Sequence, residues 1–183
     1  FRVVLAYLQL LRPGNVILVG FAVFVGAFVA VGRDVVDYQS ELGIAILCSM
    51  MLVGGGNALN DYNDRETDRK NHPERPLPSG RVSEKNAILY AKGLLLIGLV
   101  ILITGLENAL PFAVALVGVV MLLIYESSLK ATGLPGNVVV AFLSGAVFFY
   151  AGVVVDSSEK TLWMFVLAVL ASITREIVKD VQD

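Results

Sequence analysis

The sequence predicts an all-α, polytopic transmembrane helix bundle, and three observations carry that prediction. Of the 183 residues, 56% are hydrophobic and only 16% charged, and the mean hydropathy is +0.75, whereas a soluble domain carries about a quarter charged residues. The apolar residues gather in runs close to the ~20 that a helix needs to cross the hydrocarbon core. Between those runs the basic residues alternate between dense and sparse connections, as expected of a chain that crosses a membrane repeatedly.

Taken in order, Phe1 to Leu11 combines Arg2 with an apolar stripe and has no small-residue cleavage site, so it reads as an interfacial helix and not a signal peptide. Six spans follow. The first extends from about Val16 to Gly32, with Pro13 at its mouth, and the second from about Leu42 to Leu59. The third covers about Ala87 to Leu106, with Ser83 placed to cap it ahead of Glu84. The fourth covers about Leu110 to Tyr125, and Pro111 sits near its start, where a missing N–H costs little. The fifth lies between about Val138 and Val155, and the sixth begins near Leu162 and turns polar from Thr174.

Assigning each Lys and Arg to its nearer connection gives one side Arg2, Arg12, Arg65, Arg69, Lys70, Arg75, Arg81, Lys85, Lys92, Lys130, Arg175 and Lys179. The other side receives only Arg33 and Lys160, so twelve of the 14 basic residues share one face. An even number of crossings with the chain's start in the cytoplasm follows, which implies a multi-pass protein of the cell membrane and a cytoplasmic loop from Asp61 to Arg81. Residues 1–183 read as one domain, without a soluble second domain or a short repeat. The chain stops at Asp183 within a polar helix end, and an incomplete C-terminal side is expected.

Other classes are disfavoured by composition. A net charge of −2 and a pI near 5.4 provide no basic field for a nucleic-acid partner. Cys48, the only cysteine, excludes a disulfide within the chain and reads as a small core residue. One histidine, His72, gives almost no support to a zinc site or a Ser-His-Asp triad.

The polar residues at the ends of the spans carry the chemistry. Asn60, Asp64 and Asp68 are spaced i, i+4, i+8, along one helical face, with Asn57 and Asp61 close to the same stripe. Carboxylates one turn apart repel unless a cation lies between them. Mg²⁺ takes oxygen ligands and is commonly held by one or two carboxylates plus substrate phosphates. A solvated helix end paired with Arg65, Arg69 and Lys70 is the plain alternative, but ionisable groups at the mouth of a membrane helix are costly and point to function. Glu176, Asp180 and Asp183 form a second acidic face at the end of the sixth span, on the same predicted side. Two such faces on one cavity suit a diphosphate leaving group, whose growing charge the metal neutralises.

Between the first set and the third span, Pro73, Pro76 and Pro78 deny the loop a helix and hold it in shape. Arg75 and Arg81 in that loop are candidate anion ligands, since a guanidinium fork matches phosphate oxygens. Tyr125-Glu126-Ser127-Ser128-Leu129-Lys130 inserts polar residues at the cytoplasmic end of the fourth span. There Lys130 can hold a phosphate and Tyr125 can face a developing cation; an interfacial anchor and a topology signal are the simpler roles. Gly54-Gly55-Gly56 matches no nucleotide loop and reads as close helix packing.

Asn60-Asp61-x-x-Asp64-x-x-x-Asp68, Arg75-Pro76-Leu77-Pro78-Ser79-Gly80-Arg81, the Tyr125 to Lys130 insertion and the acidic end of the sixth helix together resemble the UbiA superfamily of intramembrane prenyltransferases. Arg12-Pro13-x-Asn15 is similar to that family's opening. The resemblance covers the whole chain and implies a bundle of nine transmembrane helices around a cavity, of which this chain supplies six. It implies Mg²⁺ and a prenyl diphosphate held by Asn60, Asp64, Asp68, Asp180 and Asp183, with the second motif cut short at Asp183. It further implies phosphate contacts from Asn15, Arg75, Arg81, Lys130 and Lys179, Tyr125 near the allylic cation, and Asp61 or a motif aspartate as base, within an active-site loop at 61–85. The Arg-Pro-Leu-Pro-Ser-Gly-Arg loop looks like the archaeal ether-lipid branch, which implies geranylgeranyl transfer to a glyceryl-phosphate lipid. An aromatic quinone precursor is the rival acceptor. A CDP-alcohol phosphotransferase requires Asp-Gly-x-x-Ala-Arg, which is absent. A cation transporter would place its acids near the membrane midplane on broken helices, whereas these cluster at one face.

Overall fold

The elements follow from where prolines, caps and polar breaks interrupt apolar sequence. In the computed structural model, which describes residues 2–182 apart from the side chains at 176, 177 and 179–182, the interfacial segment is helix α1 (Arg2–Leu11). Arg12, in the left-handed region at φ 52°, turns the chain into α2 (Pro13–Val31), with Pro13 in its first turn. A 3₁₀ segment, Gly32–Tyr38, reverses the direction into α3 (Gln39–Asn63). The short α4 (Arg65–Asn71) follows after a single turn residue, Asp64. Then come α5 (Glu84–Gly105), α6 (Leu110–Ile124), a π-helical turn at Tyr125–Leu129, α7 (Leu134–Val154) and α8 (Glu159–Gln182). Ser83 does cap α5, its hydroxyl accepting from the Asn86 N–H at 3.3 Å.

Among the described residues, four stretches are long and apolar enough to cross a membrane: Pro13–Asn63, Glu84–Gly105, Leu110–Leu129 and Leu134–Val154. The first doubles back at the 3₁₀ segment. Gly20 of α2 lies against Ile46 and Met50 of α3, while Gly54 lies against Val16 and Leu11, so the two helices run antiparallel. That stretch therefore supplies two crossings, and α8 is the sixth long helix, packed along α7. The connections sort to two ends. At one end Lys160 donates to the Ala30 carbonyl at 3.1 Å and Asn108 to Asp156 at 3.0 Å, joining three turns. The opposite end gathers Arg12, α4, the proline loop and the π turn.

Lipid offers no hydrophobic drive between helices, so close approach rests on small residues. A Cβ at Gly55 would meet the Ala91 carbonyl and the Leu95 side chain of α5 at 3.0 Å, which is how the expected glycine packing is realised. One buried cluster, including Val23, Ala27, Ala45, Cys48, Leu102 and Ala151, joins α2, α3, α5 and α7. A second seats Ala6 and Leu10 of α1 on Ala58, Leu59, Ala87 and Ala91. Ile17, Phe21, Leu89, Leu96 and Leu167 face outward, where a hydrocarbon solvent imposes no cost.

The tightest of these approaches is open to test. A Cβ at Gly152 would lie 1.9 Å from the Thr161 hydroxyl and 3.0 Å from the Ser157 carbonyl. Gly152→Ala is expected to separate α7 from α8 and lower stability by about 1–3 kcal/mol. Gly43→Ala, with nothing within 4 Å of the new methyl, is expected to be neutral or stabilising by up to about 1 kcal/mol. Denaturant titration of both variants in detergent measures the difference.

Candidate functional site

Three helices each present one stripe to a common space. On α3, Ser49, Leu52, Val53, Gly56, Asn57 and Asn60 recur at three- and four-residue intervals. Val114, Ala115, Gly118, Val119 and Leu122 do the same on α6, as do Val140, Leu143, Ser144, Val147 and Tyr150 on α7. The space between them is a cavity of about 490 Å³. From Asn60 down α3 to Ser49 is eleven residues, or about 16 Å at the helical rise. The walls are apolar but for Ser49, Ser144 and Tyr150, and the charged and amide lining collects at one end, with Arg12, Asn57, Asn60, Tyr125 and Glu126 at the mouth.

The mouth is a set of carboxylates, each held by a cation from elsewhere in the chain. Asp61, 5% exposed, accepts from the Arg12 guanidinium, whose same nitrogen donates to Asn60 Oδ1 at 3.0 Å. The left-handed backbone at Arg12 costs about 1–2 kcal/mol and is held by this pairing and by Pro13 behind it. Asp68, also 5% exposed, takes Arg75 Nη1 on both oxygens at 2.8 Å. Partial burial alone would lower the Arg75 pKa, but the hydrogen bond and charge of Asp68 outweigh it and hold it above its ordinary value. Lys130 Nζ lies 2.7 Å from both oxygens of Asp64 and 3.4 Å from Glu126. The Glu126 side chain is only 4% exposed. Its other contacts are the amides of Asn60 and Asn63, donating at 2.9 and 3.1 Å.

The expected single acidic face is thus divided. Asp64 sits at the break between α3 and α4, although its N–H still donates to the Asn60 carbonyl at 2.9 Å. Asn60, Asp64, Tyr125 and Lys130 converge at the mouth, Asp61 lies against Arg12, and Asp68 forms a separate pair with Arg75. Arg81 ties the loop to α1, donating to Gln9 of that helix at 2.7 Å and, within the loop, to Ser79 and the Glu74 carbonyl. Asn15 is exposed in the first turn of α2 and is absent from the cavity lining. The side chains of Lys179 and Asp180, and Asp183 altogether, lie outside the described residues.

Sequence reasoning did not assign Arg12, Asn63 or Glu126 to the site. The signal for Glu126 was available, an acid at the end of an apolar span beside Tyr125, and its partners are 63 and 66 residues away.

Among the described residues, no three His, Cys, Asp or Glu side chains are grouped to hold a metal. What does exist is an oxygen donor set in which Asp64 and Glu126 share the Lys130 ammonium, while Asn60 donates its amide to Glu126 and turns its oxygen to Arg12. Two carboxylates with room for further oxygens fit a hard divalent ion that completes its shell from phosphates and water.

Fold and site together define a membrane-embedded helical bundle with a carboxylate-and-cation mouth over an apolar pocket. Residues 19–183 match the model of the UbiA prenyltransferase family, and the chain belongs to that family as a multi-pass membrane protein. It is 36% identical to digeranylgeranylglyceryl phosphate synthase of Methanothrix thermoacetophila, over 96% of this chain and 64% of the relative. The synthases of the same name from Methanopyrus kandleri and Natronomonas pharaonis are 39% and 40% identical, over 97% and 96% of this chain and 64% and 62% of theirs. A solved structure described as giving insight into digeranylgeranylglyceryl phosphate synthase in membranes superposes with a TM-score of 0.87 at 28% identity, over 98% of this chain and 63% of that one. The chain therefore spans a little under two thirds of the length of these relatives.

The buried pair provides a test independent of activity. Arg75→Met leaves the Asp68 carboxylate buried without a partner and is expected to lower stability by about 2–4 kcal/mol. Arg75→Met with Asp68→Asn is expected to recover at least half of that loss, measured by unfolding in detergent.

Proposed function

We propose that this protein transfers a geranylgeranyl group from its diphosphate to the hydroxyl of a glyceryl-phosphate lipid, at the cytoplasmic face of the cell membrane. The observation that carries the reading is the junction of an ion-lined mouth with an apolar cavity about 16 Å deep. A prenyl diphosphate has the same two-part form, a dianionic or trianionic head on a hydrocarbon chain. Membership of the UbiA family and the shared name of the relatives support the transfer and the acceptor.

In this reading the head group lies at the mouth, against Arg12, Lys130 and Arg75, and the chain extends between α3, α6 and α7. Asp64 and Glu126, with Asn60, would hold Mg²⁺. A bound divalent cation supplies charge neutralisation for the departing diphosphate. Asn15, Arg81, Lys179, Asp180 and Asp183 are proposed to extend the phosphate and metal contacts, as the family resemblance implies.

The allylic C–O bond breaks with its electron pair leaving on the diphosphate, and the acceptor hydroxyl forms the new C–O bond and gives its proton to an oxygen of the departing diphosphate. Lys130 then shifts from the carboxylates to the phosphate oxygens, and Asp61 keeps Arg12 aimed at the mouth. Tyr125 offers its ring to the allylic cation, and the apolar walls exclude water that would quench it.

Asp64→Ala is expected to lower transfer by about 100-fold or more while the protein remains folded in detergent. Near-normal turnover, assayed with labelled geranylgeranyl diphosphate and full-length protein, would refute the site. Glu126→Gln is expected to raise the Mg²⁺ concentration needed for half-maximal transfer, and an unchanged requirement removes Glu126 from the metal set. Labelling of an aromatic acid instead of the glyceryl-phosphate lipid would overturn the acceptor.

A further inference from the structure

A groove on the outer side of the bundle collects polar groups that nothing in the chain satisfies. It holds about 470 Å³ between α1 and α5, lined by Tyr7 of α1 and by Asn86, Leu89, Tyr90, Gly93 and Ile97 of α5. The two tyrosine rings meet edge-on, with centroids 5.0 Å apart. Neither hydroxyl, nor the Asn86 side-chain amide, bonds to another described residue. Lys85 and Lys92 are exposed and lie about 40° and 60° round the helix from Leu89, on the same side of it, so they follow one rim of the groove while α1 forms the other. Neither lysine forms an ion pair or hydrogen bond among the described residues.

The order of these groups along α5 sets the chemistry of an occupant. Lys85 and Asn86 come first, Leu89 and Tyr90 about 6 Å further into the membrane, then Gly93 and Ile97 without a polar side-chain atom. Cation, hydrogen-bond donor and hydrocarbon wall, in that sequence, match the phosphate, glycerol oxygens and chain of a membrane lipid. Lys92 lies eight residues, about 12 Å, along this membrane-spanning helix from Glu84. An ammonium facing lipid at that depth calls for an anionic partner, and its flexible stem reaches back toward the head groups. Gly93 opens the floor, since a Cβ there would meet nothing within 4 Å. No residue of α5 lines the cavity between α3, α6 and α7, so a lipid held in the groove is a resident and not a substrate.

We propose that the α1–α5 groove binds an anionic membrane lipid, with its phosphate on Lys85 and Lys92, its glycerol oxygens on Asn86 and Tyr90, and one chain laid over Gly93 and Ile97. The lipid braces α1 against α5. That helix ends at Leu11, whose carbonyl accepts from Asn57 at 2.8 Å, and Arg12 follows directly, so the lipid steadies the element that carries Arg12 to the mouth.

Thermal unfolding of full-length protein in detergent tests this, with added phosphatidylglycerol, phosphatidylcholine of the same acyl chains, or inorganic phosphate. Phosphatidylglycerol in excess is expected to raise the wild-type Tm by about 5 °C, phosphatidylcholine by less than half as much, and inorganic phosphate not at all. Lys85→Gln together with Lys92→Gln is expected to reduce the phosphatidylglycerol shift to that of phosphatidylcholine. Gly93→Leu, whose side chain occupies the open floor, is expected to remove both shifts and to melt no lower than the wild type without lipid. Equal shifts from the two lipids in the wild type, or a matching shift from inorganic phosphate alone, would overturn the proposal. So would a phosphatidylglycerol shift that survives either the paired lysine substitutions or Gly93→Leu.

Discussion

Carboxylates that leave water must find cations, and at the polar end of this bundle that requirement organises the architecture. Asp61, Asp68 and Glu126 are almost entirely withdrawn from solvent, and an unpaired charge in such a place costs several kcal/mol. Asp61 and Asp68 are met by cations from other elements, and Glu126 by Lys130, four residues on, and by the Asn60 and Asn63 amides of α3. Arg12 comes from the α1–α2 corner, Arg75 from the proline loop, and Lys130 from beyond the π turn. The pairs therefore tie α1, α3, the loop and the α6–α7 connection into one unit. Disturbing one partner would shift elements that are distant in sequence.

The rest of the molecule obeys a second solvent. With lipid outside, helices gain nothing from hiding leucines, and the interior is built from glycine and alanine that let backbones approach. Many of the larger side chains point outward or toward the space between α3, α6 and α7, while others, Leu10, Val23 and Leu102 among them, are fully buried. That space stays open because the helices around it are braced elsewhere, α3 against α5 and α7 against α8. The same packing economy thus yields both the tight seams and the cavity.

Much of this was legible in the sequence, and the division between what was and was not has a physical cause. Span positions, the Ser83 cap and the glycine seam depend on local composition, and the structure reproduces them to within a few residues. The pairing of the acids was not legible. Asn60, Asp64 and Asp68 share a helical spacing, yet the break at Asp64 and the approach of Lys130 from 66 residues away give each a different environment. Arg12 reads as a topology signal in sequence, and only its left-handed backbone brings the guanidinium over Asp61.

The π turn at Tyr125–Leu129 bears on how such a site is encoded. In an α-helix, residues five apart point away from one another by roughly 140°, so Tyr125 and Lys130 could not serve one mouth. Here the Lys130 N–H bonds the Tyr125 carbonyl at 3.0 Å, and the wider turn stacks them on the same side with Glu126. The information lies in the count of residues as much as in their identities. Removing a single residue from this turn would leave every acid, base and aromatic of the site in the sequence and still swing the ammonium away from Asp64.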